Sequence, residues 1–289
     1  MQCLSKTIAV ALYAVFLYPN ANGETSGEKI RWYEMRGTEI REIHSKITGQ
    51  DYELLVNLPY SYGKDTAKHY PVVYFCDGFY DFPLLAMIYG DQIFDKTIEE
   101  CFLVGFSYKG NNLDYGKLRT HDYTPTEMKQ VPGSGGASDF LKVVENEFIP
   151  FVEKNYRVDP SFRALGGSSL GGLFVLYAMF TKPELFNAYI SISPAALWDQ
   201  GYLLMTEGQF HAQRHDLPVS LYMTGAEKEF ADDPTFIEGI KFFGEVLKKR
   251  NYDHFRYEFR VLDDAYHASS KPEGYVRGMQ FIFAPLLGK

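Results

Sequence analysis

Residues 166–172 read GGSSLGG, two adjacent serines fenced by glycines. In the frame G-x-S-x-G the match is Gly167, Ser169 and Gly171, whereas Ser168 fits no such frame. A serine so placed can be a nucleophile. On a sharp strand-to-helix turn its hydroxyl is pushed out at the end of a sheet, and glycines two before and two after let the two backbones approach where a Cβ would not fit. The helix that follows aims its free N–H groups at the reaction centre, where they favour developing negative charge. The bland alternative is a flexible Gly/Ser linker. The chain on either side of the heptad decides between them.

A nucleophilic serine needs a base, and in a sheet of buried parallel strands the partners follow in the order serine, acid, histidine. His211, His215, His254 and His267 come after Ser169. Sites in such sheets open at the C-terminal ends of the strands. His211 and His215 precede the strand-like VSLYMTG (219–225), and His254 precedes RYEFRVLD (256–263), so all three fall at the wrong end. His267, in DDAYHAS, follows the last strand and is the expected base. His211 and His215 stand four residues apart, but no third ligand accompanies them at metal-site spacing. They are read as surface histidines, and no metal or organic cofactor is expected. His44, His69 and His121 precede the serine and are assigned structural or solvated positions.

The acid is expected just beyond VSLYMTG, among Glu227, Glu229, Asp232 and Asp233. Its task is to hold the imidazole tautomer, so it must be pinned near a strand end, which favours the two glutamates. Asp263 and Asp264, close to His267 in sequence, are alternatives. The oxyanion donors are expected to be the backbone N–H of Leu170, directly after the serine, and that of Phe79, in the loop after YPVVYFCDG (70–78).

The elements that must position these residues are legible as alternating patterns. IREIHSKI (40–47) and YELLVNLP (52–59) read as strands that can form an antiparallel edge. YPVVYFCDG and CFLVGFSY (101–108) are nearly continuous apolar runs, as in strands buried on both faces. RALGGSS (163–169), AYISISP (188–194), VSLYMTG and RYEFRVLD complete the set. Helical spacing appears over 138–156, with Ser138 as N-cap and Leu141, Val144, Phe148 and Val152 on one face. The run 171–180 is apolar all round. Over 236–250 the expected core stripe is Phe236, Ile240, Phe243 and Leu247. Buried strands alternating with helices predict an α/β fold, a mostly parallel sheet covered on both faces. A strand therefore enters GGSSLGG and a buried helix leaves it, which favours the elbow over the linker. Cys76 ends one strand and Cys101 begins the next. If these strands are parallel neighbours the two thiols lie at opposite ends, too far apart for a bridge.

A net charge of −8 argues against nucleic acid or an anionic membrane as partner. Residues 1–23 carry Lys6, an apolar run from Thr7 to Tyr18, then small and polar residues, the grammar of a secretory signal with cleavage near Ala21 to Gly23. The apolar run is shorter than the ~20 residues that span a bilayer. The expectation is an exported protein, periplasmic or secreted, with one domain over 24–289 and no membrane span after cleavage.

These residues resemble the esterase D-like, enterochelin-esterase-like branch of the α/β-hydrolases. YPVVYFCDG is similar to its first core strand and oxyanion loop, and RTHDYTP (119–125) to a segment of its enterochelin-esterase-like members. ALGGSSLGGLFVLYAMFTKPELFNAYISISPAALWD is similar to its elbow, helix and next strand, and HASSKPEGYVRGMQFIF to its histidine loop and final helix. The resemblance runs from about Ile40 to Phe283. It implies an α/β-hydrolase fold, Ser169 and His267 as nucleophile and base, and Glu229 as acid with Glu227 the near competitor. It also implies a small-molecule or carbohydrate-linked ester as substrate: a siderophore ester, a feruloyl or acetyl ester, or a short-chain ester. Two other functions share this pattern. An acyltransferase would resolve the same acyl-enzyme with an alcohol, and a binding protein could use the scaffold without chemistry. Specificity is expected in loops around 79–95, 108–137 and 196–216, with Tyr108, Trp198 and Phe210 as either pocket or core aromatics.

Overall fold

The structure, a computed structural model, describes residues 33–230 and 233–288. The expected signal at 1–23 and the candidate Asp232 lie outside the described residues. Eight strands run along the chain: β1 Thr38–His44, β2 Asp51–Asn57, β3 Tyr70–Phe75, β4 Phe102–Tyr108, β5 Val158–Ser168, β6 Ala188–Ile192, β7 Ser220–Lys228 and β8 Arg256–Tyr266. They form one sheet in the order β1-β2-β4-β3-β5-β6-β7-β8. β1 and β2 are antiparallel to their neighbours, and from β4 onward every pair is parallel. This is the α/β-hydrolase arrangement with the antiparallel edge that the sequence implies.

Strands buried on both faces still alternate. In β3, Val72 and Tyr74 join Cys76 in the larger hydrophobic cluster, while Val73 and Phe75 face the smaller one. The small cluster is closed by α1 (Gly78–Phe94) and α8 (Lys271–Phe283); the large one takes α2 (Tyr115–Tyr123), α3 (Ala137–Val143), α4 (Ile149–Asn155), α5 (Leu170–Thr181), α6 (Trp198–Gln213) and α7 (Thr235–Arg250). An apolar run such as α5, buried from Leu170 to Phe180, is stable because sheet and helices surround it on every side. The stretches expected as specificity loops carry α1, α2 and α6.

Three helix details depart from expectation. The segment expected as one helix over 138–156 is α3 and α4 joined by a π-helical turn, Val144–Phe148. The wider turn suits Val144, Phe148 and Val152, core residues spaced by four, and these and Leu141 are all buried. Its N-cap is Gly136, not Ser138, which stands exposed in the first turn. In α7 the inner stripe is Ile237, Ile240, Phe243 and Leu247, so Phe236 is displaced from the core face to its edge.

Cys76 and Cys101 are free and buried. β3 and β4 are parallel neighbours, paired from Val72–Phe102 to Phe75–Gly105, which sends the two thiols to opposite ends.

Candidate active site

Ser169 sits between β5 and α5 at φ 59°, ψ −118°, a conformation that L-residues rarely adopt. Its surroundings fix it there. The Ser169 amide donates to Ile192 O at 2.9 Å, and its carbonyl accepts from Leu173 N and Ala195 N. A Cβ on Gly167 would come within 2.6 Å of the Gly171 carbonyl, and one on Gly171 within 2.9 Å of Cys76 Cβ. Both flanking glycines of the G-x-S-x-G frame are therefore required by close approach of strand, helix and the β3 loop. The elbow is built as the sequence predicts.

β7 and β8 overrun their expected ends. Beyond Ala226–Leu262 a bulge shifts the register, and the last pair is Lys228–Tyr266. The next residue on each strand is Glu229 and His267, so two side chains 38 positions apart leave adjacent strands together. Glu229 Oε2 meets His267 Nδ1 at 2.5 Å, while Oε1 accepts the Ala226 amide at 2.7 Å. Both residues are buried. The second ring nitrogen, His267 Nε2, is buried with no hydrogen-bond partner. Ser270 Oγ donates to the His267 carbonyl at 2.8 Å and lies 3.2 Å from Ser193 Oγ, in the loop that holds the Ser169 amide. The Ser169 turn and the His267 loop are thus both tied to the end of β6 at the C-terminal edge of the sheet, without a hydrogen bond from His267 Nε2.

Four of the competing acids lie among the described residues. Glu227 is exposed and accepts the Asp264 amide, while Asp264 pairs with Lys228 at the surface. Asp233 accepts the Thr235 amide at the start of α7. Asp263 is exposed. Glu227 and Asp264 are thus taken up by partners other than His267.

Leu170 is the first residue of α5 and Phe79 the second of α1, so their N–H groups have no acceptor within their helices. α1 starts from Asp77, which is left-handed at φ 57°. The helix lies so close to β4 that a Cβ on Gly78 would be 2.8 Å from the Gly105 carbonyl carbon. The Phe79 ring is half exposed and stacks on Tyr115 at 3.9 Å.

Sequence reasoning missed the ion pair beneath this loop. Arg119 Nε and Nη2 donate to Asp77 Oδ1 and Oδ2 at 2.6 and 2.8 Å, both side chains buried, and Nη2 reaches Ser168 O at 3.5 Å. The pair joins the loop after β3, α2 and the elbow. Its signal lay in the quoted segments CDG and RTHDYTP. A second buried carboxylate, Asp81, accepts from Lys271 Nζ at 2.7 Å and Tyr275 OH at 3.0 Å, tying α1 to α8 just beyond the histidine loop. Burial pushes its carboxyl above the ordinary range, against the pull of the Lys271 cation.

The other aromatics belong to the core. Tyr108 donates to Asp122, Trp198 Nε1 donates to Thr126, and Phe210 packs on Phe180 and Tyr252. His211 is half-buried, a correction to its surface assignment: its ring stands edge-on to His215 at 4.7 Å and to Tyr252 at 5.1 Å. Among the described residues there is no group of three or more side chains that could hold a metal ion, and no helix long and apolar enough to cross a membrane.

Residues 45–256 match the family described as "Putative esterase". The ferri-bacillibactin esterase BesA of Bacillus subtilis is 25% identical over 276 residues, covering 90% of this chain and 94% of that protein. The siderophore triacetylfusarinine C esterase of Aspergillus fumigatus is 38% identical over 125 residues, 42% of each chain. Among solved structures, the BES protein from Bacillus cereus superposes with a TM-score of 0.78 at 25% identity, covering 89% of this chain and 99% of that one. The siderophore hydrolase EstB from Aspergillus nidulans gives 0.75 at 23% identity, covering 89% and 98%, a likeness of fold. With the family match spanning the G-x-S-x-G turn, the loop after β3 and the turn that carries Glu229, the chain belongs to the Putative esterase family and is a carboxylic-ester hydrolase.

Proposed function

We propose that the protein hydrolyses ester bonds of siderophores through Ser169, His267 and Glu229. The observation that carries the mechanism is the Glu229–His267 hydrogen bond at the sheet edge that also bears the strained Ser169. Ser169 Oγ attacks the ester carbonyl while His267 Nε2 takes its proton. Glu229 holds the proton on Nδ1, which leaves Nε2 as the free nitrogen to act on the serine, and it stabilises the imidazolium that forms. The amides of Leu170 and Phe79 receive the oxyanion. As the tetrahedral intermediate collapses, the carbon–oxygen bond to the alcohol breaks and His267 returns the proton to it. Water, deprotonated by the same nitrogen, then releases the acid and regenerates the serine. The open Nε2 fits this role, since apo sites close such hydrogen bonds on binding substrate. The siderophore class rests on BesA, whose alignment covers nearly the whole of both chains.

Export follows from the N-terminal segment, and the intact mass of the exported protein should place its N-terminus near residues 21–23. The mechanism is tested with a fluorophosphonate probe read by intact mass. One adduct on wild type and none on Ser169→Ala is expected; no adduct on folded wild type leaves a scaffold without hydrolytic chemistry at this serine. Incubation with ferri-bacillibactin and triacetylfusarinine C, followed by mass spectrometry of the products, tests the substrate class. Labelling without cleavage of either would place the substrate elsewhere among esters.

A further inference from the structure

The imidazole of His267 is enclosed by two phenyl rings that no step above uses. Phe230, the residue after Glu229, lies over the ring with centroids 4.4 Å apart and planes inclined by 32°. Phe236, in the first turn of α7, meets it at 5.3 Å and 86°. The two phenyls pack edge to face on each other at 4.9 Å and 89°. Phe236 thus has a place in the structure that the core stripe of α7 does not require.

The Cβ–Cγ bond and the Nδ1 hydrogen bond hold one side of the imidazole and leave the ring able to tilt about that side. Such a tilt swings Nε2, on the far side of the ring, away from the serine. A flat ring laid against one face removes that freedom, and a second ring braced on the first keeps it in place. Resting on the assignment of His267 as base, we propose that Phe230, braced by Phe236, is a positioning residue that sets the plane of the His267 imidazole and hence the aim of Nε2 at Ser169. Acid and aromatic guide come from one turn, Glu229–Phe230, so the end of β7 delivers both restraints together. The ring has a second effect once His267 is protonated, since a phenyl face attracts the imidazolium and keeps water from it.

Steady-state hydrolysis of a chromogenic ester by Phe230→Leu and Phe230→Tyr tests this. Leucine keeps apolar bulk without a plane. With it, kcat is expected to fall about 10- to 100-fold, the scale set by a misplaced catalytic group, while KM stays within about twofold. Tyrosine keeps the plane and should restore kcat. The proton spectrum supplies an independent signature. A far-downfield line from the Nδ1 proton is expected in wild type and Phe230→Tyr, broadened or lost in Phe230→Leu. An unchanged kcat in the leucine variant, a loss confined to KM, or an equal loss in both variants overturns the proposal. If Phe230→Leu does not fold by circular dichroism, Phe236→Leu carries the same expectations. Fluorophosphonate labelling of wild type separates the two levels: a labelled wild type with a fully active leucine variant rejects the positioning role and leaves the triad standing.

Discussion

Glu229 uses both carboxylate oxygens, one on the Ala226 amide and one on His267. The backbone bond anchors the side chain to the strand it has just left, so the second oxygen has little freedom when it reaches the imidazole. Glu227 has no such prospect, because its place on the outer side of β7 turns it to the Asp264 amide. The residues alone did not separate these two glutamates, and only the family resemblance favoured Glu229; the bulge between Ala226 and Lys228, which sets the facing of everything after it, leaves no local pattern. Glu229→Gln keeps the shape and removes the charge, so kcat should fall by up to about 10⁴-fold, as when a triad acid is neutralised. Glu227→Gln should leave kcat unchanged. Steady-state kinetics on one chromogenic ester decides, and the opposite ranking would hand the acid role to Glu227.

The elbow shows what an element can demand of its residues. Gly166 and Gly167 stand side by side before the serines, but a Cβ on Gly166 would meet neighbours at 3.6 Å or more, whereas one on Gly167 would strike the Gly171 backbone at 2.6 Å. Gly166→Ala should therefore be nearly neutral, while Gly167→Ala should destabilise by about 1–3 kcal/mol, the usual cost of overpacking. Urea denaturation of both variants checks this, and equal midpoints would mean that the turn can open. The strands, α5 and the C-terminal position of His267 were legible because burial and alternation are written in residue type. The Asp77–Arg119 pair was not, since its partners lie 42 residues apart and meet through the placement of α2, whose nine residues carry no clear stripe. Phe236 was misplaced for a related reason: helical spacing counts Phe236 and Ile237 almost equally, and the turn carrying Phe230 draws the former outward.

At the scale of the molecule, sheet order keeps Cys76 and Cys101 apart while burying both, and burial pushes each thiol well above its ordinary range. Neither should react with an alkylating reagent in the native protein, both should react after denaturation, and Tm should not depend on added reductant. Peptide mapping after alkylation and paired melting curves test this; a reductant-sensitive Tm would mean that the chain can bridge them. Ser169 bears on the whole molecule differently. A serine held at positive φ costs about 1–3 kcal/mol, out of a folding free energy that is commonly about 5–15 kcal/mol. Glycine would relieve most of that strain, so thermodynamics alone favours a chain without the hydroxyl. Drift under selection for stability would run toward that glycine and away from catalysis. Libraries screened for stability alone should recover Ser169→Gly as a gain, and under the mechanism proposed above the most stable variant of the elbow would be an inert one.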